Sequence, residues 1–143
     1  MKKLCVMLAL LGLSGCVQVD NYHDVVKTPP PAGLDGYWQS AGPQSELVSP
    51  EAIASFIVTP QGDTLDCRQW QRVIALPGKL MRRGDVLYNV TNTRDVYSVS
   101  RSGDTLEYAG MTLQRVERPT DECADWLNQH PLIPSTSSNN LAQ

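Results

Sequence analysis

The stretch Gly84–Tyr108, GDVLYNVTNTRDVYSVSRSGDTLEY, decides the fold. Tyr88 and Val90, Tyr97 and Val99, and Leu106 and Tyr108 recur with period two, the spacing that sends alternate side chains to opposite faces of a strand. Gly84-Asp85 and Gly103-Asp104 separate these runs, as Gly62-Asp63 does upstream, and Gly readily takes the positive φ that hairpin turns demand. Outward from this stretch, β-favouring segments fall at 36–40, 54–59, 64–72, 79–82, 86–90, 95–100, 104–108 and 111–117, with Pro77-Gly78 as one more turn. Short strands at near-regular intervals predict a mainly β fold, an antiparallel meander of about eight strands closed as a small barrel or left as a curved sheet. In the last segment Met111 and Leu113 lie on the face opposite Val116, which a bulge or a slipped face would accommodate.

Two helices are expected beside the strands. Ser49, with Pro50 at the first helical position, predicts one or two turns through Ala54. Thr120 predicts a cap for Asp121–Leu127, whose acidic first turn suits the helix dipole. Cys123, Trp126 and Leu127 share one face at i, i+3 and i+4, so this helix is read as a brace on the sheet.

A chain of 143 residues supports one domain. Its 12 basic against 15 acidic side chains, a net charge of −3, provide no basic field for nucleic acid. Apolar residues at 41% and charged ones at 19% exclude wholesale disorder and a multispanning membrane protein alike.

Lys2 and Lys3 precede an apolar run from Leu4 to Leu13, the pattern of an export leader and too short to span a bilayer. Leu13-Ser14-Gly15-Cys16 then resembles the lipobox of bacterial lipoprotein precursors. The resemblance implies cleavage between Gly15 and Cys16, a diacylglycerol on the Cys16 sulfur and acylation of the new amino group; two or three chains hold a protein at the membrane where one does not. Val17, rather than Asp, follows the cysteine, which under the associated sorting rule implies delivery to the outer membrane, with the domain facing the periplasm. Loss of the leader leaves 10 basic against 15 acidic side chains, a net −5.

The expected organisation is a leader at 1–15, the acylated cysteine and a proline-bearing tether at 16–34, a β-rich domain at 35–130 and a disordered tail at 131–143. Cys5 leaves with the leader and Cys16 takes lipid, so Cys67 and Cys123 remain; an oxidising compartment predicts a disulfide between them, with a metal site or two free thiols as the other readings. No cofactor is expected beyond the covalent lipid, and no metal, since zinc wants three or four clustered ligands and His23 and His130 lie on the tether and before the tail. Neither His is placed to serve as a catalytic base, no phosphate loop or nucleophile elbow occurs, and the chain is read as non-enzymatic. Asp63, Asp66, Asp85, Asp95 and Asp104 are assigned to turn ends, where Asp satisfies backbone groups.

The candidate interaction patch is Arg68, Trp70 and Arg72, on one side of the 64–72 strand. It is either an internal cation–π stack or an exposed anchor for a protein partner. Gly36-Tyr37-Trp38 resembles the Gly-x-Trp start of lipocalin-like barrels, which implies that Trp38 closes the barrel base with a late arginine, Arg115, over it.

Residues 49–53, 62–75 and 77–80, with Asn89-Val90-Thr91, Gly110-Met111-Thr112 and Arg118-Pro119-Thr120 before Cys123, are similar to the YedD-like family of small bacterial outer-membrane lipoproteins. The resemblance covers nearly the whole mature domain and implies a lipoprotein without supplying catalytic residues. The expected function is a binding or scaffolding role in the envelope, with the membrane as one partner through the lipid and an envelope protein as another. The alternatives are an inhibitor of a periplasmic or host hydrolase, and a carrier of an apolar ligand in a cavity lined by Ile57, Tyr88, Tyr97 and Leu113.

Overall fold

The computed structural model describes residues 17–44 and 46–132. The expected leader, Cys16 and residues 133–143 therefore lie outside the described residues. Eight strands, β1 Gly36–Ser40, β2 Ile53–Val58, β3 Asp63–Trp70, β4 Arg72–Arg83, β5 Val86–Thr91, β6 Val96–Ser102, β7 Thr105–Tyr108 and β8 Met111–Val116, precede one helix, α1 Asp121–Gln129. Every strand pairs antiparallel with the next, and β8 returns to β1 with Trp38 opposite Arg115, closing the barrel. Strand direction defines two ends. Segment 41–52, Gln71, loop 92–95 and turn 109–110 form the mouth, while 59–62, 84–85, 103–104 and the segments flanking β1 and β8 form the base.

Where hydrophobic alternation is clean, between β5 and β8, the strands fall within a residue or two of expectation. Neither the bulge nor the slipped face allowed for in β8 occurs: the strand keeps one register from Leu113 opposite Ser40 to Val116 opposite Tyr37, and Val116 simply lies on the outer face. Pro77-Gly78 is not a turn. β3 stops at Trp70, Gln71 turns the chain at φ 33°, and Arg72–Arg83 continues as one strand through Pro77 and Gly78. A Cβ on Gly78 would stand 2.6 Å from both Thr64 Oγ1 and the Val90 carbonyl oxygen, so this glycine answers a lack of room rather than a bend. The Pro77 carbonyl accepts from Asn92 N–H at 2.8 Å, on the side where β5 has already ended, so the missing Pro77 N–H interrupts no rung to that strand.

The helix expected after Ser49 is also corrected. Ser49 Oγ accepts from Glu51 N–H at 3.2 Å and its carbonyl from Ala52 N–H at 3.1 Å, but the turn goes no further. Ile53–Val58 is taken into β2, where the alternation of Ala54, Phe56 and Val58 fills the barrel. At the other terminus Thr120 caps α1 as expected, Oγ1 accepting from Cys123 N–H. Inside the barrel Trp38, Phe56, Leu80, Leu106 and Leu113 are fully buried, and Phe56 stacks on Tyr108 at 4.2 Å. Outside it, Cys123, Trp126 and Leu127 pack on Ile57, Leu65 and Cys67, and the Cys67–Cys123 disulfide, Cα atoms 6.2 Å apart, ties α1 to β3.

The segment read as a free tether is strapped to the barrel. Arg94 Nη1 donates to the Asp20 carbonyl at 3.1 Å, Lys79 Nζ donates to the Tyr22 carbonyl at 3.0 Å and lies over its ring, and Lys27 pairs with Asp63 at 3.1 Å. Thr28 N–H then reaches the Leu80 carbonyl at 2.9 Å, and Leu34 plugs the base, its carbonyl accepting from Trp38 Nε1 at 2.9 Å. The strap thus runs from the mouth loop at Arg94 down to the base.

Candidate functional site

The base is built for closure. The Arg115 guanidinium lies 4.3 Å over the Trp38 ring and donates to the carbonyls of Gly33 and Asp35, so the structure brings Trp38 and Arg115 together.

The mouth is different. An open groove of about 630 Å³ lies between the β3–β4 hairpin and segment 46–52, lined by Leu47, Val48, Arg68, Trp70, Arg72 and Ile74 among others. Arg68, Trp70 and Arg72 all border it, although Arg72 stands on β4 across the turn from Trp70 rather than on the same strand. They do not stack: among the described residues the cation–π pairs are Arg115 over Trp38 and Lys79 over Tyr22. Trp70 is 40% exposed and Ile74 47%.

Beneath the groove runs a buried polar chain that sequence reasoning missed. Arg68 donates through Nε and Nη2 to the two Asp66 oxygens at 3.1 and 3.3 Å, and Tyr108 donates its hydroxyl to Asp66 Oδ2 at 2.8 Å. Asn89 Nδ2 donates to the Tyr108 oxygen at 2.9 Å, and Asn89 Oδ1 accepts from Thr64 Oγ1 at 2.5 Å. Burial, and then the Asp66 charge, push the Tyr108 hydroxyl far above its ordinary range. Burial works to lower the Arg68 pKa, but hydrogen bonding to Asp66 and its charge outweigh that and raise it. Each of the five side chains finds a partner, as a buried network must. Asp66 is therefore an interior strand residue and not a turn residue. The one signal for it was its period-two spacing from Thr64 and Arg68, which puts three polar side chains on a single face.

The apolar cavity expected from Ile57, Tyr88, Tyr97 and Leu113 does not form from those four. Ile57 packs outward in the cluster beneath α1, and Tyr88 stands on the outer face opposite Met81 and Ser98. Tyr97 and Leu113 do face inward, in a core filled by their neighbours. His23 is exposed on the strap, and His130 stacks on Trp126 at 4.2 Å.

An eight-stranded antiparallel closed barrel of this kind, with its interior base sealed by a tryptophan under an arginine, belongs to the lipocalin-like class. The chain belongs to the family described as "Bacterial lipocalin LPS transport optimiser YedD", which residues 19–127 match. It is 67% identical to "Uncharacterized lipoprotein YedD" of Salmonella typhimurium over 92% of this chain and 94% of that protein. The protein of the same description from Escherichia coli K12 is 63% identical, over 92% of this chain and 96% of the relative. A crystal structure of a lipoprotein YedD from Klebsiella pneumoniae is similar at a TM-score of 0.76 and 59% identity, covering 80% of this chain and 99% of that one.

Proposed function

We propose that this protein is a non-enzymatic accessory of LPS transport, held by lipid on Cys16 at the periplasmic face of the outer membrane and acting through contacts made at the barrel mouth. The transport role is drawn from the family's description, and the anchoring from the lipobox together with relatives named as lipoproteins. The observation that carries the mode of action is the contrast between a packed interior and a partly apolar, exposed rim. Trp38, Phe56, Leu80 and Leu106 fill the barrel, whereas Trp70 and Ile74 are left to solvent beside Arg72. Contiguous exposed apolar surface with a Trp and an Arg is the composition of recognition sites.

The test is made in cells lacking the protein. Wild type should restore LPS delivery to the cell surface, and a Trp70→Ala, Arg72→Glu variant that accumulates to the same level should not. Equal restoration by both overturns the reading.

A further inference from the structure

We infer that the barrel mouth faces, and its rim seats on, the bilayer that holds the anchor. The inference rests on the lipid anchor proposed above and adds an orientation to it.

Three observations converge. The first is where the chain leads. Asp20 is bonded to Arg94, in a mouth loop, and the strap below it is fixed through Tyr22, Lys27 and Thr28. Cys16 is four residues before Asp20, and four residues reach at most about 14 Å when extended. The anchor therefore enters the membrane beside the mouth, and the base, at the far end of the strap, points away.

The second is the distribution of exposed apolar side chains. Among the described residues the large ones are Val26, Val48, Trp70, Val73, Ile74 and Val86, and four of these, Val48, Trp70, Val73 and Ile74, stand at the mouth. A Trp with flanking aliphatics is the composition that settles at a headgroup boundary.

The third is shape. Thr91 at the end of β5 pairs with Gly78, so β4 outruns its neighbour and Arg72–Pro77 pairs with β3 alone. The hairpin turning at Gln71 is thus a projection carrying Trp70, Val73 and Ile74 toward the side from which the anchor emerges. Glu46, Glu51 and Glu122 share the grooves on either flank of the hairpin with Arg72 and with Arg68, which is already paired to Asp66, so no net positive field stands there. The seat therefore depends on apolar insertion and the anchor, with little help from anionic lipid.

The test uses acylated protein purified from membranes and reconstituted into vesicles of phosphatidylethanolamine with a minority of phosphatidylglycerol. Lipid on Cys16 and the Cys67–Cys123 disulfide leave an introduced thiol as the one to label, so spin labels are placed singly at Val73→Cys and, at the base end, Val86→Cys. The expected result is a several-fold loss of accessibility to a water-soluble relaxant at Val73, with high accessibility to oxygen, and full water exposure at Val86. Adding Ile74→Glu should return the Val73 label to water. Two labels equally in water overturn the orientation while leaving the anchored function standing. Shielding of Val73 that appears only after outer-membrane proteins are added also overturns it, in favour of a protein occupant. A mature mass without acyl chains overturns both the orientation and the anchor on which it rests.

Discussion

Tyr108 joins the two halves of the barrel's interior, stacking on Phe56 with its ring and bridging Asp66 and Asn89 with its hydroxyl. Its pKa is raised in the folded state, by burial first and by Asp66 second. The folded protein consequently holds this proton more tightly than the unfolded chain, whose tyrosines titrate near about pH 10. The stability linked to Tyr108 is complete below that pH and is lost as pH rises above it. A spectrophotometric titration should show the Tyr108 phenolate appearing only together with loss of the barrel's circular dichroism. Tyr108→Phe should flatten the alkaline loss, yet cost about 1–3 kcal/mol in denaturant unfolding at neutral pH by leaving Asp66 and Asn89 short of a partner. Unchanged alkaline behaviour in that variant would show that another group controls it. The alternation of Leu106 and Tyr108 was readable in the chain. The Asp66 partner was not, because it lies 42 residues away and polar spacing alone does not name a mate across a barrel.

Among the elements, β4 was the hardest to read. Pro-Gly ordinarily signals a turn, and the signal was overridden by a constraint visible only after folding, the absence of space beside Thr64 and Val90. Gly78→Ala should therefore destabilise by about 1–3 kcal/mol through overpacking, and not through backbone strain. An unaltered unfolding midpoint would mean the strand shifts to admit the methyl group. α1, by contrast, was legible from its cap and its apolar face, and the disulfide ties it to β3 across 56 residues beside the packing of Trp126 and Leu127. Cys123→Ser should lower stability by about 4 kcal/mol if chain entropy governs. Amide exchange should quicken across Asp121–Gln129 while β5 to β8 stay protected. Uniform loss of protection would instead make the helix integral to the barrel.

At the scale of the whole molecule, the barrel axis separates a sealed end from one that leaves apolar side chains exposed. The base commits a fully buried Trp38, a covering Arg115 and the plug Leu34, whereas the mouth leaves Trp70, Val73 and Ile74 uncovered. Hydrophobic patterning predicts the antiparallel meander but leaves a barrel and a curved sheet both open, and it is the β8–β1 pairing that closes it. It does not reveal which end leaves apolar side chains exposed, since an exposed Trp70 and a buried Trp38 follow the same alternation in their strands. The strap was illegible for a related reason: its hold on the barrel includes isolated hydrogen bonds from Thr28, Lys79 and Arg94, the Lys79 ammonium over the Tyr22 ring and the Lys27–Asp63 ion pair, and such contacts have no periodicity.

The two tryptophans should therefore respond oppositely to the same truncation. Trp38→Ala empties the base and removes the seat of Arg115, so a loss of about 3–5 kcal/mol is expected. Trp70→Ala with Ile74→Ser removes side chains already about half in contact with water, and unfolding should shift by about 1–2 kcal/mol, less than for Trp38→Ala. The Trp70 variant should nevertheless be the one that fails to support LPS delivery at normal abundance, while any defect of the Trp38 variant should follow its abundance. Denaturant unfolding of both proteins, set beside their steady-state levels and LPS delivery in cells, decides this. If delivery follows stability in both variants, the mouth has no separate role and the division along the barrel axis fails.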